Sequence, residues 1–177
     1  MKRTKEMCLC ALFTALMCAS AYIKIPTPLL PITLQTLFVS LAGLILGSRK
    51  GFLSVAVYTF IGLAGIPVFA EGGGLPYILK PSFGYILGFT LSALITGKLA
   101  EKKCTFKNFL FSSLTGTVCV YTVGLIYYYF ISTLYLVNQI EIKNLFIYCF
   151  LLTLPGDILM CALASAIGKR LKKMIKL

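Results

Sequence analysis

Apolar residues run along this chain in long blocks that contain almost no charge, and cationic clusters or Pro/Gly breaks separate the blocks. The pattern is neither the alternation of a half-buried strand nor the single stripe of a water-soluble helix. Blocks of roughly 15 or more such residues predict helices surrounded by hydrocarbon. Six spans are expected. The first covers about Met7 to Ile23 and stops at Lys24 and the Pro-rich Ile25-Pro26-Thr27-Pro28-Leu29-Leu30-Pro31. The second covers about Thr33 to Leu46, closed by Gly47 and Ser48-Arg49-Lys50, and the third about Gly51 to Ala64, ended by Gly65-Ile66-Pro67. The fourth runs from about Pro81 to Gly97, the fifth from about Phe109 to Val137, and the sixth lies within Asn144 to Ile167, interrupted by Pro155-Gly156. The second and third fall short of the roughly 20 residues that cross a bilayer. Short, Gly- and Pro-broken segments occur where their ends line a cavity, and a thin or tilted bundle produces the same pattern.

Composition narrows the class. Of 177 residues, 59% are apolar and 12% charged, with a mean hydropathy of +0.92. A soluble domain carries about a quarter charged residues, so the expected fold is an all-α membrane protein, one integral membrane domain over residues 1–177. A transmembrane barrel is not expected, because the blocks do not alternate.

Seventeen Lys and Arg face five Asp and Glu, and their placement is lopsided. One set of span ends carries Lys2, Arg3, Lys5, Arg49, Lys50, Lys98, Lys102, Lys103, Lys107, Lys169, Arg170, Lys172, Lys173 and Lys176. The other set carries Lys24, Lys80 and Lys143. Under the positive-inside rule this places both termini in the cytoplasm, in a multi-pass protein of the cell membrane. The net charge of +12 is then a topology signal, and nucleic acid is not needed as a partner. The basic tail after Gly168 is suited to anionic membrane lipid. Lys2-Arg3-Thr4-Lys5, the following apolar run and Ala19-Ser20-Ala21 also resemble a cleavable leader. Removing it would spoil the charge alternation, so a retained first span is expected.

Chemistry-bearing residues are few. There is no His, and no GxxxxGK[ST] loop, so neither the commonest metal ligand nor that route to ATP hydrolysis is present. Energy for any transport comes from a gradient or a partner. The seven Cys are scattered without a CxxC pair and read as small apolar fillers; no metal and no cofactor are expected. Outside the basic loops the acids are Glu71, Glu141 and Asp157. Asp157 stands in the run 145–167, which has no other ionisable side chain apart from Cys and Tyr. An acid in such a run is costly and is a functional candidate. With Pro155 at the first helical position it also sits where free N–H groups favour an anion; ligand contact and helix capping are compatible. A carboxylate there suits a ligand that offers two parallel N–H donors, such as a cyclic urea, an amidine or an amine. If the last helix runs from Pro155 to near Gly168 it is roughly 21 Å long, and the small residues Cys161, Ala164 and Gly168 below the acid favour close packing.

The loop 66–81 contains Gly72-Gly73-Gly74, which reads either as a lid over a ligand or as a flexible connector. In the first span Ala11, Ala15 and Ala19 form a small-residue stripe, suited to internal packing or to docking of another membrane subunit.

These residues resemble the BioY family, the biotin-binding substrate component (S component) of energy-coupling-factor (ECF) transporters. The likeness runs from about Ala11 to Lys169. Its specific parts are the runs 31–39 (Pro-Ile-Thr-Leu-Gln-Thr-Leu-Phe-Val), Leu41-Ala42-Gly43, 62–69 (Gly-Leu-Ala-Gly-Ile-Pro-Val-Phe), the glycine loop, 81–89 (Pro-Ser-Phe-Gly-Tyr-Ile-Leu-Gly-Phe) and Leu154-Pro155-Gly156-Asp157. The resemblance implies six helices and an outward-facing biotin pocket under the loops. It further implies docking to a transmembrane coupling subunit, served by two ATPase subunits, through an alanine stripe that matches Ala11, Ala15 and Ala19. The family motif Pro-Gly-Asp-x-x-Lys places its acid on Asp157 and its lysine on Met160, a departure that leaves the lysine's role to another residue such as Lys80. On this reading Asp157 accepts the ureido N–H groups, Lys80 meets the carboxylate, and Gly73 and Gly74 belong to the covering loop. Tyr77, Phe83, Tyr85 and Tyr121 pack the rings or supply hydroxyls, and Gln35 lies near the pocket. Two alternatives are an S component for another vitamin or a biotin precursor, and a membrane-embedded enzyme, for which no nucleophile–base pair is visible.

Overall fold

Helix follows the apolar blocks, because a backbone in hydrocarbon must satisfy every N–H and C=O internally. The computed structural model describes residues 2–25, 32–134 and 153–175. The expectations for the Pro-rich run 26–31, Glu141, Lys143, Cys149, Lys176, the end of the fifth span and the first part of the sixth lie outside the described residues. Five helices are described: α1 (Lys2–Ser20), α2 (Gln35–Leu63), α3 (Phe83–Ala100), α4 (Phe106–Leu134) and α5 (Leu154–Ile175). By length and apolar composition α3 and α4 are sufficient to cross a membrane; α2 reaches that length only when counted across its break at Gly47. A two-residue ribbon, β1 (Lys24–Ile25) against β2 (Ile32–Thr33), pairs Lys24 with Thr33 and was not foreseen.

The helix α2 is not a rod. Gly47 has φ 80° and ψ −179°, a conformation that a side chain resists. A Cβ built on Gly51 would lie 3.0 Å from the Cα of Gly43, and the Gln35 amide donates to the Tyr58 hydroxyl at 2.5 Å. In a straight helix residues 35 and 58 would stand about 34 Å apart. The chain therefore reverses at Gly47 into two antiparallel arms, 35–46 and 48–63, which correspond to the second and third expected spans.

Cross-helix contacts fix the other directions. Glu6 pairs with Lys50 at 2.6 Å, Thr14 donates to the Ser54 carbonyl at 2.9 Å, and Tyr22 reaches the Pro67 carbonyl, so α1 runs parallel to the second arm. Ser48 contacts Glu101, while a Cβ on Gly43 would meet the Ala93 carbonyl, so α3 runs parallel to the first arm. In the α3–α4 seam, Thr96 donates to the Ser112 carbonyl, and a Cβ on Gly88 would strike the Val120 backbone at 2.8 Å. Small residues let these helices approach until their backbones touch. Finally, α5 meets α4 antiparallel through Thr117–Cys161 (3.2 Å), and its Lys172 donates to the Leu44 carbonyl at the foot of the first arm.

The directions have one large consequence. The clusters around Lys5, Arg49, Lys98–Lys107 and Lys169–Lys173 gather at one end, and the loop 64–82, with Lys24 and Lys80, closes the other. Two boundaries differ from expectation. The first helix starts at Lys2, because a cationic turn in water remains compatible with helix. The last does not stop near Gly168 but continues to Ile175. Gly168 packs against Leu44 and Leu41 rather than breaking the helix, and Lys172 and Lys173 suit the negative end of its dipole. The helix is thus about 33 Å long, not 21 Å.

Candidate functional site

At the end opposite the cationic clusters, a cavity of about 60 Å³ is enclosed by the first arm of α2, the loop, α3, α4 and the start of α5. Nine of its thirteen described lining residues carry a polar side-chain group, namely Thr33, Gln35, Thr36, Tyr77, Ser82, Tyr85, Tyr121, Thr153 and Asp157, with Ala70, Ile86, Phe89 and Val120 completing it. So many hydrogen-bonding groups around one hollow between apolar helices call for a polar occupant, since dry burial of such groups is costly.

Asp157 stands in the first turn of α5, where its own N–H donates to the Thr153 carbonyl at 3.1 Å. Its carboxylate is held from α4 and faced from α2. The Tyr121 hydroxyl donates to Oδ2, and Thr36 lines the same cavity. Tyr121 has a single proton, so with that proton on Asp157 the Thr153 hydroxyl, 2.8 Å away, is the donor to Tyr121. The result is a directed chain from Thr153 through Tyr121 to Asp157. An ionised carboxylate offers about four lone-pair sites, so the Tyr121 donor leaves acceptor capacity for a ligand.

Gln35 is locked on the opposite wall. Its amide nitrogen donates to the buried Tyr58 hydroxyl, which in turn donates to the Val68 carbonyl at 3.2 Å. Thr33 Oγ1 lies 3.1 Å from Gln35 Oε1. A cavity residue is thereby wired to the covering loop.

That loop is a built structure rather than a slack connector. Gly72 and Gly74 take φ 120° and 94°, and a Cβ on Gly73 would collide with the Ile66 carbonyl. A 3-10 helix, Leu75–Leu79, turns Tyr77 inward, where it packs on Phe69 with ring centroids 4.7 Å apart. Burial pushes the Tyr77 phenol up from its ordinary pKa, so it faces the cavity as a neutral hydroxyl beside Ser82 (3.3 Å). Two cations tie the loop down by successive carbonyls: Lys24 donates to Ala70, and Lys80 to Glu71 at 3.0 Å.

Of the residues singled out in the sequence, Asp157, Gln35, Tyr77, Tyr85 and Tyr121 come together on this cavity, with Tyr85 set edge-on to Tyr121 at 6.4 Å. Lys80, Gly73, Gly74, Phe83 and Met160 stand outside its lining. Lys80 is half-exposed and reaches the Glu71 carboxylate at 3.6 Å, while Phe83 backs Tyr77. The hydroxyls of Thr33, Thr36, Ser82 and Thr153 were not anticipated. Ala11, Ala15 and Ala19 lie elsewhere. They floor an open, largely apolar groove of about 1030 Å³ between α1 and the second arm of α2, flanked by Leu53, Val57 and Ile61.

Fold and site define a multi-pass helical membrane protein with a polar small-molecule cavity at one end and an apolar groove along one side. The chain belongs to the BioY family, whose model matches residues 1–177. It is 38% identical to a probable biotin transporter BioY of Lysinibacillus sphaericus over 98% of this chain and 89% of that protein. Against the biotin transporter BioY of Thermotoga maritima the identity is 37%, over 92% of this chain and 93% of the other. The crystal structure of the S component for biotin from an ECF-type ABC transporter superposes with a TM-score of 0.86 at 27% identity, covering 97% of this chain and 93% of that one.

Proposed function

We propose that this protein is a biotin-binding S component that mediates biotin uptake across the cytoplasmic membrane together with an ECF ATPase module. The observation that carries the reading is the Asp157 carboxylate, held at the cavity by Tyr121 with acceptor capacity to spare. Biotin's ureido ring supplies two N–H donors to that carboxylate, and its bicycle lies against Ile86, Phe89 and Val120. Among the described residues, the cavity lining contains no cation. The valerate carboxylate therefore points toward the loop, where Lys80 exchanges Glu71 for the ligand. A cavity of about 60 Å³ is smaller than the roughly 300–1,000 Å³ of ordinary ligand sites, so entry requires the loop 64–82 to swing outward. The six spans are α1, the two arms of α2, α3, α4 and α5. The cationic end faces the cytoplasm, so the cavity opens to the outside.

With no GxxxxGK[ST] loop in the sequence, the bundle relies on a coupling subunit with two ATPases, and Ala11, Ala15 and Ala19 offer that subunit a helix-wide groove. Calorimetric titration of the purified protein tests the reading. Tight, saturable binding of biotin, unaffected by excess thiamine or riboflavin, is expected. Absence of biotin binding, or competition by thiamine or riboflavin, refutes it. The family lysine is Met160 here, which favours including dethiobiotin as a second ligand.

A further inference from the structure

At the cationic end, between the start of α4 and the last turns of α5, lies a groove of about 300 Å³ lined by Phe106, Ala166, Lys169, Arg170 and Lys173. Positive charge at this end is explained by topology alone, but its arrangement here is not. The four cations at the end of α5 divide. Lys172 turns inward, donating to the Leu44 carbonyl and lying 5.3 Å from the centre of the Phe109 ring. The other three surround one hollow, although mutual repulsion would spread them. Protein anions do not answer them: among the described residues at this end, Glu6 is taken by Lys50 and Glu101 by Ser48, and Lys169, Arg170 and Lys173 are in no ion pair.

The groove is also graded in polarity along α5. Ala166 lies about 10 Å deeper than Lys173 by helix rise, and the exposed Leu163 and Leu159 continue the same line toward the middle of the bundle. A trio of cations above an apolar track matches a phosphodiester above an acyl chain. We propose that this groove is a binding site for an anionic glycerophospholipid, its phosphate held by Lys169, Arg170 and Lys173 and an acyl chain laid over Phe106, Ala166 and Leu163. The proposal is independent of what fills the cavity at the other end.

Thermal unfolding of the full-length protein in neutral detergent tests it, with phosphatidylglycerol, phosphatidylcholine or inorganic phosphate added. Phosphatidylglycerol is expected to raise the midpoint by at least about 3 °C, phosphatidylcholine and inorganic phosphate by clearly less. The triple substitution Lys169→Gln, Arg170→Gln, Lys173→Gln is expected to abolish the difference. A charge-matched control on the same end, Lys98→Gln, Lys102→Gln, Lys103→Gln, is expected to retain it. Equal stabilisation by phosphatidylcholine overturns the proposal, as does equal stabilisation by inorganic phosphate. So does loss of the effect in both triple variants, which would assign it to diffuse surface charge.

Discussion

Two hollows in this molecule differ in every physical respect. The cavity under the loop is small and ringed by hydroxyls, an amide and one carboxylate, with its cover tied by Lys24, Lys80 and Tyr58. The groove along α1 is many times larger, open, and floored by the methyl groups of Ala11, Ala15 and Ala19. Directional polar groups in a tight space select one small molecule, because each group left unpaired is penalised. A broad strip of small residues selects shape alone, and in a membrane the natural occupant of such a strip is another helix. On the proposed function, one bundle separates recognition of cargo from recognition of machinery. The two tasks should fail independently.

The largest effect is expected on the cavity side. Asp157→Asn removes a charge-assisted acceptor and is expected to weaken biotin binding by at least about 2 kcal/mol, roughly thirtyfold, in a calorimetric titration, while leaving assembly with the coupling subunit intact. The reciprocal change is Ala15→Leu, which puts a branched side chain on the floor of the groove. Overpacking of this kind costs about 1–3 kcal/mol; co-purification with the coupling subunit is expected to fall while biotin affinity stays unchanged. If either variant damages both functions, the separation is wrong.

A smaller effect sharpens how the cover is held. Tyr58→Phe removes the hydroxyl that joins Gln35 to the Val68 carbonyl and is expected to cost about 1 kcal/mol, seen as faster biotin release in stopped-flow competition. The smallest effect on the fold is expected from Lys80→Gln, because its pairing with Glu71 is half-exposed and worth less than about 1 kcal/mol. Thermal unfolding should hardly move. Biotin affinity should nevertheless drop while that of biotin methyl ester does not, if Lys80 meets the ligand's carboxylate.

Much of this was legible in the chain because a bilayer is an unforgiving solvent. Apolar blocks betray the helices, the cationic clusters betray which of their ends lie together, and Asp157 is conspicuous as an acid in a run that otherwise excludes charge. Tyr77, Tyr85, Tyr121 and Gln35 followed from one resemblance. The hydroxyls were not legible. Thr33, Thr36, Ser82 and Thr153 line the cavity, yet Thr59, Thr115 and Thr122 of the same type simply bond their own helix backbone four residues back. Only packing tells the two uses apart. Thr153 had the one usable cue, a hydroxyl two residues before Pro155 at a helix start. Gly168 misled for a related reason: a glycine near a basic cluster signals a helix end, but here it makes room for Leu44.

The central claim is that the Asp157 carboxylate accepts the ligand's ring N–H groups, and a double-mutant style cycle tests it most directly. Biotin and an analogue methylated on one ureido nitrogen are titrated against the unaltered protein and Asp157→Asn. The account predicts strong coupling, with methylation costing the unaltered protein about 1.5–3 kcal/mol more than it costs the variant. Equal losses in both proteins would contradict it.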